Sequence, residues 1–274
     1  KNLLEHVESL TSNTDEQKRL FNAIQTYQIP SNLDMKQVII LFFSFFIFCH
    51  AYATHIVGGD IYYDYLGNNN YKFYINVYRD CNSSGAAYDD PLYLEVYNQS
   101  NVSTHHIAIP FPGSVILPVI FNNPCVTPPS TICVEKAVYT TIITLPPIVG
   151  GYTISYQRCC RNPNIINLIS PDNTGFTLTT HVPGLETGMS ANSSPRFTNY
   201  PPLLLCNNEE LIFNHAATDP DGDQLVYSLV TPNAGANSAV PAPTVAPPPP
   251  YPVVNWATTF NASNPLGPGA SIQI

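Results

Sequence analysis

The strongest constraint on the fold is a strict alternation of apolar and more polar residues in the segment 71–78. A repeat of two gives a β-strand one apolar face, whereas a helix needs a repeat near 3.6. The segment 67–70 precedes this strand and is made of Gly and Asn, the residues that favour a tight turn. We therefore expect a β-hairpin between 71–78 and a preceding strand at 61–65.

Further short segments of β-prone residues follow, each bounded by Pro, Gly or Asn. The chain of 274 residues contains 27 Pro and 17 Tyr, and only 11% of its residues are charged, which argues against a helical bundle or a coiled coil. Short strands at this spacing are typical of a β-sandwich, so the sequence predicts an all-β fold. The predicted strands are 92–97, 105–109, 115–121, 134–145, 152–158 and 174–182.

A change in composition predicts two domains. The segment 184–196 is rich in Gly, Ser and Pro, and we interpret it as a linker between a first β-sandwich, 54–183, and a second, 197–274. The second has too few strands to close a sheet, so we expect it to be incomplete at its C-terminal end. Its Pro-rich stretch, 241–252, favours polyproline II and is expected to be an extended loop inside or beside that domain. Its predicted strands are 203–205, 211–213 and 225–229.

The segment 35–53 has the pattern of a secretory signal peptide. A Met-Lys start precedes the apolar run 38–49, and a small-x-small site ends at Ala53. The run is about 12 residues long, short of the roughly 20 that a membrane span needs, so we expect no span in the mature chain. We interpret the charged segment 1–34 as upstream read-through before a start at Met35; the alternative is a helical extension ahead of a membrane anchor.

The cysteines predict disulfide bonds. Cys49 lies in the predicted signal peptide, which leaves six of the seven cysteines in an exported chain. Cys125 and Cys133 flank a short Pro-rich loop. Cys159 and Cys160 are adjacent on a predicted strand, where side chains alternate between faces, so we expect them to bond different partners. The sequence alone leaves the pairing open. The six candidates are Cys81, Cys125, Cys133, Cys159, Cys160 and Cys206.

Alternating carboxylates predict a calcium site. Asp219, Asp221 and Asp223 lie in one turn with Pro and Gly between them, so their side chains converge when the backbone curls. Calcium accepts six to eight oxygen ligands in irregular geometry, which suits such a turn. Glu209 and Glu210 start the preceding predicted strand, and one of them can reach the same end. The alternative is a solvated hairpin turn in which Asp accepts hydrogen bonds from its own backbone.

Several motifs resemble those of known secreted proteins. The segment 217–227 resembles the Asp-rich loop of cadherin-like and PKD-like immunoglobulin-fold repeats of bacterial surface proteins. The segments 156–162, 193–197 and 55–59 are similar to large secreted Bacteroidetes proteins, which often carry PKD repeats and a gliding-motility-associated C-terminal domain used in type IX secretion. The resemblance implies immunoglobulin-like sandwiches and a link to gliding motility. That family's sorting domain has no counterpart in the present sequence.

These observations together predict a non-enzymatic adhesion or scaffold protein, secreted or on the outer cell surface. A net charge of −9 argues against nucleic-acid binding, and neither a zinc-protease, a hydrolase nor a phosphate-loop motif occurs. The expected partner is a cell-surface protein or polysaccharide. Arg158 and Arg161 flank the cysteine pair and are interpreted as structural ion pairs or as a carboxylate clamp.

The alternative function is a carbohydrate-binding module or an accessory domain of a secreted hydrolase. It rests on the tyrosines of the first hairpin, which could form an aromatic platform or be ordinary half-buried strand residues. These tyrosines are Tyr62, Tyr63, Tyr65, Tyr71, Tyr74 and Tyr78.

Overall fold

The computed structural model describes residues 56–83, 85–119, 129, 132–189, 191–204 and 212–267. All of them belong to one compact unit, Ala51–Ile274. Regular structure in the described residues is antiparallel β, together with two single-turn 3-10 helices, Pro171–Asn173 and Leu185–Thr187. The all-β prediction is therefore confirmed, whereas the predicted signal peptide lies outside the described residues.

The described strands form two four-stranded sheets and one small two-stranded sheet. The first sheet has the order β1-β2-β6-β5, the second β4-β3-β7-β8, and β9 pairs with β10. The strands are β1 (Ile56–Gly67), β2 (Asn70–Asp80), β3 (Leu92–Asn98), β4 (Ser103–Ile109), β5 (Ser114–Ile116), β6 (Val134–Thr144), β7 (Tyr152–Arg158), β8 (Phe176–Val182), β9 (Arg196–Phe197) and β10 (Ala217–Thr218).

The first hairpin forms as the alternation predicts. Tyr63 of β1 lies opposite Phe73 of β2, and Asn68 and Asn69 take left-handed conformations at the turn (φ 53° and 61°). Such conformations suit Asn and Gly, which explains why the polar turn sequence fixes the register here. The register in turn places alternate β2 residues on the buried face.

One hydrophobic core joins the two large sheets. Phe73 and Ile75 of the first sheet and Leu94 and Ile154 of the second are completely buried in the same cluster. Burying a side chain of this size stabilises the fold by about 1.5–3 kcal/mol. The apolar residues that alternate along β2 are thus the residues that it contributes to this core.

Some predicted strands differ from those observed. The strand predicted at 115–121 ends at Ile116, and the segment 225–229 forms no strand, although its apolar residues suggested one. Val226 and Val230 are instead largely exposed. Of the other two strands predicted for the second domain, 203–205 and 211–213 lie partly outside the described residues. The division into two domains stays a prediction.

The Pro-rich stretch, together with the residues that precede it, packs against the second sheet and covers it. The Thr177 hydroxyl of β8 donates to the carbonyl of Ala234, the Tyr97 hydroxyl of β3 donates to that of Ala246, and Cys159 N–H donates to Pro241 O (2.8 Å). Polyproline-like backbone keeps its carbonyls free, which lets it accept hydrogen bonds from a sheet surface without joining the ladder. The expectation that this stretch lies in or beside a second domain stays a prediction.

This cover explains several buried polar side chains on the outer face of the second sheet. Glu95 is completely buried, and it accepts hydrogen bonds from Ser103 (2.9 Å) and His106. Ser155 and Gln157 of β7 are also buried. Without a cover, the outer face of an antiparallel sheet would be solvated and polar, as these residue types suggest.

Steric contact at Gly175 offers a test of the cover. A Cβ at this position would collide with the carbonyl oxygens of Ala236 and Arg158, whereas a Cβ at Gly58 would meet nothing within 4 Å. We predict that Gly175→Ala lowers the free energy of unfolding by about 1–3 kcal/mol. Gly58→Ala serves as the control and should leave it unchanged or slightly higher. Urea unfolding measures both; equal stabilities would contradict the packing.

Candidate functional site

The edge of the first sheet that β1 forms is covered by a short segment of the same chain. β1 is an edge strand, and its Tyr63 N–H donates to Ser194 Oγ (2.8 Å) while Ser194 N–H donates to Tyr63 O (2.9 Å). Tyr65 N–H donates to Ser193 Oγ (3.2 Å). Unpaired edge groups invite pairing with another chain, so the two serines act as a partial substitute for a neighbouring strand.

The Asp-rich turn holds this edge cover in place. Asp221 Oδ2 accepts a hydrogen bond from Ser193 N–H (2.6 Å), and Asp219 Oδ1 accepts from the N–H groups of Asp221 (2.8 Å) and Asp223 (3.3 Å). Gly222 has φ 80°, a conformation that glycine adopts without strain. The geometry therefore contains the backbone-capped turn of the alternative interpretation, with an added contact to the edge of β1.

The small sheet β9–β10 brings the turn and the cover together. Thr218 of β10 lies opposite Arg196 of β9, so the turn starts directly after the strand that pairs with β9, and β9 begins two residues after Ser194. Arg196 forms an ion pair with Asp64 of β1 and lies over the ring of Tyr62, 5.1 Å from its centroid. The pairing places Asp221 within reach of Ser193.

The predicted calcium ligands are only partly assembled by these contacts. Asp219 and Asp221 each use a carboxylate oxygen to accept backbone N–H groups. Among the described residues, no three His, Cys, Asp or Glu side chains form a group that could hold a metal ion. Glu209 and Glu210 lie outside that part of the chain. The calcium site stays a prediction.

Two disulfide bonds are present among the described cysteines. Cys81 bonds Cys133 with a Cα–Cα distance of 5.4 Å, and Cys159 bonds Cys160. The expectation that the adjacent pair has different partners is wrong. β7 ends at Arg158, so the alternation of strand side chains does not extend to the pair. Cys125 and Cys206 lie outside the described residues.

The Cys81–Cys133 bond follows from the register of the first sheet. Asp80 at the end of β2 lies opposite Val134 at the start of β6, which brings the next residue of one strand beside the preceding residue of the other. This pair could not be predicted from local sequence patterns, because the two cysteines are 52 residues apart. The strand pairing, had it been known, would have identified it.

Arg158 forms the structural ion pair that the sequence offered as one alternative. Its Nε lies 3.1 Å from Asp89 Oδ1, and the Tyr156 hydroxyl donates to Asp89 Oδ2 (2.7 Å). Burial raises the pKa of the Asp89 carboxyl, although Arg158 and the Tyr156 hydroxyl act in the opposite direction. The positive charge of Arg158 is therefore already paired with Asp89 and is not available to a ligand.

Arg161 lies instead in a pocket of about 210 Å³. Its Nε donates to Gly175 O and its Nη2 to Asn233 O, both at 3.1 Å. Burial lowers the pKa of the guanidinium. The sequence drew attention to Arg161, but it did not reveal the pocket, because four separate segments of the chain form it. The lining residues are 56–59, 161, 176–178, 232 and 233.

The hairpin tyrosines divide between the core and the surface. Tyr63 and Tyr71 are buried in the core, and Tyr65 packs against it. On the outer face of the first sheet, Tyr62 stacks on Tyr74 with ring centroids 4.7 Å apart. The remaining hairpin tyrosine, Tyr78, lies on this outer face too, in edge contact with Tyr200.

Comparison with known proteins gives no match: neither a family model, nor a curated protein, nor a solved structure matches the chain. In the part of the chain that the structure describes, no helix is long and apolar enough to cross a membrane.

The contact between Asp221 and Ser193 can be tested without metal. We predict that Asp221→Ala in the presence of a chelator lowers the free energy of unfolding by about 1 kcal/mol, because Ser193 N–H loses its acceptor. Asp223→Ala is the matched control, since Asp223 enters the turn through its backbone N–H. Chemical denaturation measures both variants; an equal loss in each would contradict the assigned contact.

Proposed function

We propose that this protein is a non-enzymatic adhesion or scaffold protein that is secreted or held on the outer cell surface. The observation that carries the proposal is the pair of disulfides, Cys81–Cys133 and Cys159–Cys160. Disulfides persist in oxidising compartments and are rare in the cytosol. They agree with the signal-peptide interpretation of 35–53.

We propose further that the two large sheets form an immunoglobulin-like sandwich. The strand order supports this: β1, β2, β6 and β5 correspond to strands A, B, E and D of that fold, and β4, β3, β7 and β8 to C′, C, F and G. The PKD-like and cadherin-like repeats that the sequence resembles have immunoglobulin folds. The link to gliding motility and type IX secretion rests on that resemblance alone.

The covered edge and faces suit a rigid extracellular unit. A disulfide joins β2 to β6, the serine segment closes part of β1, and the Pro-rich stretch covers the second sheet. Such a unit resists unwanted strand pairing and presents a fixed surface to a partner. The partner proposed for it is a cell-surface protein or polysaccharide.

The carbohydrate-binding alternative has less support. A sugar-binding platform needs an aromatic ring whose face is free to stack on the ligand. Tyr62 already stacks on Tyr74 and lies under the Arg196 guanidinium, and Lys72 Nζ lies 5.0 Å from the Tyr74 ring centroid. The chain's own groups thus occupy much of this aromatic surface.

The compartment and the pairing are tested together by disulfide mapping. We expect material recovered from the native host to be extracellular, with non-reducing peptide maps that contain both the Cys81–Cys133 and the Cys159–Cys160 linkage. Replacing Cys81 and Cys133 by Ser should cost about 2–4 kcal/mol of stability, because the cross-link restricts the unfolded chain. Intracellular protein with free thiols at these positions would overturn the proposal.

Calcium is proposed as a stabilising ion bound by Asp219, Asp221 and Asp223, with Glu209 or Glu210 as a further ligand. The carboxylate oxygens that accept no backbone hydrogen bond are the ligands that would hold it. An ion at 100 times its dissociation constant stabilises the folded form by about 2.7 kcal/mol.

Thermal melting therefore distinguishes the ion-binding role of the turn from its structural role. We predict that millimolar calcium raises the melting temperature of the parent protein, and that Asp223→Asn abolishes this rise without changing the melting temperature in chelator. The magnesium salt at equal ionic strength is the control. A parent protein that shows no rise, or a variant that keeps it, would contradict the calcium proposal.

A further inference from the structure

The charge on Arg161 is not balanced by a carboxylate of the described chain. The structure describes four arginines, and three of them form ion pairs: Arg79 with Glu135, Arg158 with Asp89, and Arg196 with Asp64. The Arg161 guanidinium donates to the carbonyl oxygens of Gly175 and Asn233, and it forms no ion pair with a carboxylate of the described residues. A half-buried cation held by neutral acceptors is costly, since desolvation is offset best by an opposite charge.

The two carbonyl contacts also fix the orientation of the guanidinium. They use one N–H of Nε and one of Nη2, and a guanidinium has five N–H donors in a rigid plane. Three donors therefore remain for other acceptors. A side chain that is held in this way is preorganised, so a ligand does not have to immobilise it on binding.

The pocket around Arg161 is half apolar. Ile56, Phe176 and Leu178 contribute apolar side chains, while Gly58 and Gly59 contribute bare backbone. A volume of about 210 Å³ holds a small molecule or the last residue or two of a peptide. Apolar walls beside a single fixed charge are the usual composition of a specific small-ligand site.

We propose that this pocket binds a carboxylate attached to an apolar body, with Arg161 as the group that recognises the carboxylate. The guanidinium fork matches the two oxygens of a carboxylate, and one positive charge balances one negative charge. A phosphate would bring a second negative charge into a pocket with one cation, on a chain whose net charge is −9. Burial lowers the pKa of the Arg161 guanidinium, which agrees with its position inside the pocket.

Two sources can supply this chemistry: a small organic acid, or the C-terminal carboxylate of a peptide. The proposal is independent of the calcium site and of the adhesive role, because none of the pocket residues belongs to the Asp-rich turn.

Calorimetric titration of the full chain tests the pocket. The probes are hexanoate and an N-acetylated tripeptide of Leu and Val with a free C-terminus; hexanamide and the amidated peptide are their neutral counterparts. We expect saturable binding of an acid and at least about tenfold weaker binding of its amide, because the ionic hydrogen bonds are lost. Tighter binding of the peptide assigns a chain terminus as the source, and tighter binding of hexanoate assigns a small acid.

Two variants separate recognition from folding. Arg161→Gln removes the charge, and Gly58→Leu keeps Arg161 but places a side chain in the open space beside Gly58. Each should weaken binding of the acid at least about tenfold. Lys72→Gln, which removes a cation from the outer face of the first sheet, should leave binding unchanged. Equal binding of acid and amide, no binding of either acid, or full binding by Gly58→Leu would overturn the proposal.

Discussion

The hydrogen bonds between the Ser193–Ser194 segment and Tyr63 of β1 are the contact on which the arrangement of the chain after β8 depends. They satisfy edge groups of the first sheet, and the N–H of Ser193 is in turn held by Asp221. An unprotected edge strand is a template for aggregation, so closing part of it within the chain reduces the opportunity for pairing with a second chain. The Asp-rich turn thereby has a structural role whether or not it binds an ion.

The second sheet is likewise covered by a later segment of the same chain, which accepts hydrogen bonds from it. Its contacts are the carbonyl oxygens of Ala234, Pro241 and Ala246, which accept from the Thr177 hydroxyl, the backbone of Cys159 and the Tyr97 hydroxyl respectively. The backbone N–H of Cys159 and the hydroxyls of Thr177 and Tyr97 thus find acceptors away from solvent. Because one chain supplies both covers, the described residues after β8 contribute to the stability of the two large sheets.

The sequence predicted local structure well and long-range contacts poorly. Alternation in β2 and the Asn turn before it identify the first hairpin, because strand periodicity and turn preferences are local properties. The Cys81–Cys133 bond, the Pro-rich cover and the Arg161 pocket each join segments that are far apart in the chain, and no local pattern encodes such proximity. The prediction for the adjacent cysteines is wrong because it needs a strand that reaches Cys160, and β7 ends two residues earlier.

Native-state hydrogen exchange of the full chain tests the central claim most directly, namely that the covering segments after β8 fold together with the two large sheets. The amide of Cys159 donates to Pro241 O, and that of Ser194 donates to Tyr63 O. The account predicts that both exchange with the same opening free energy as the core amide of Ile75, since all three then open only when the whole unit unfolds. Rapid exchange at Cys159 and Ser194 while Ile75 stays protected would contradict it.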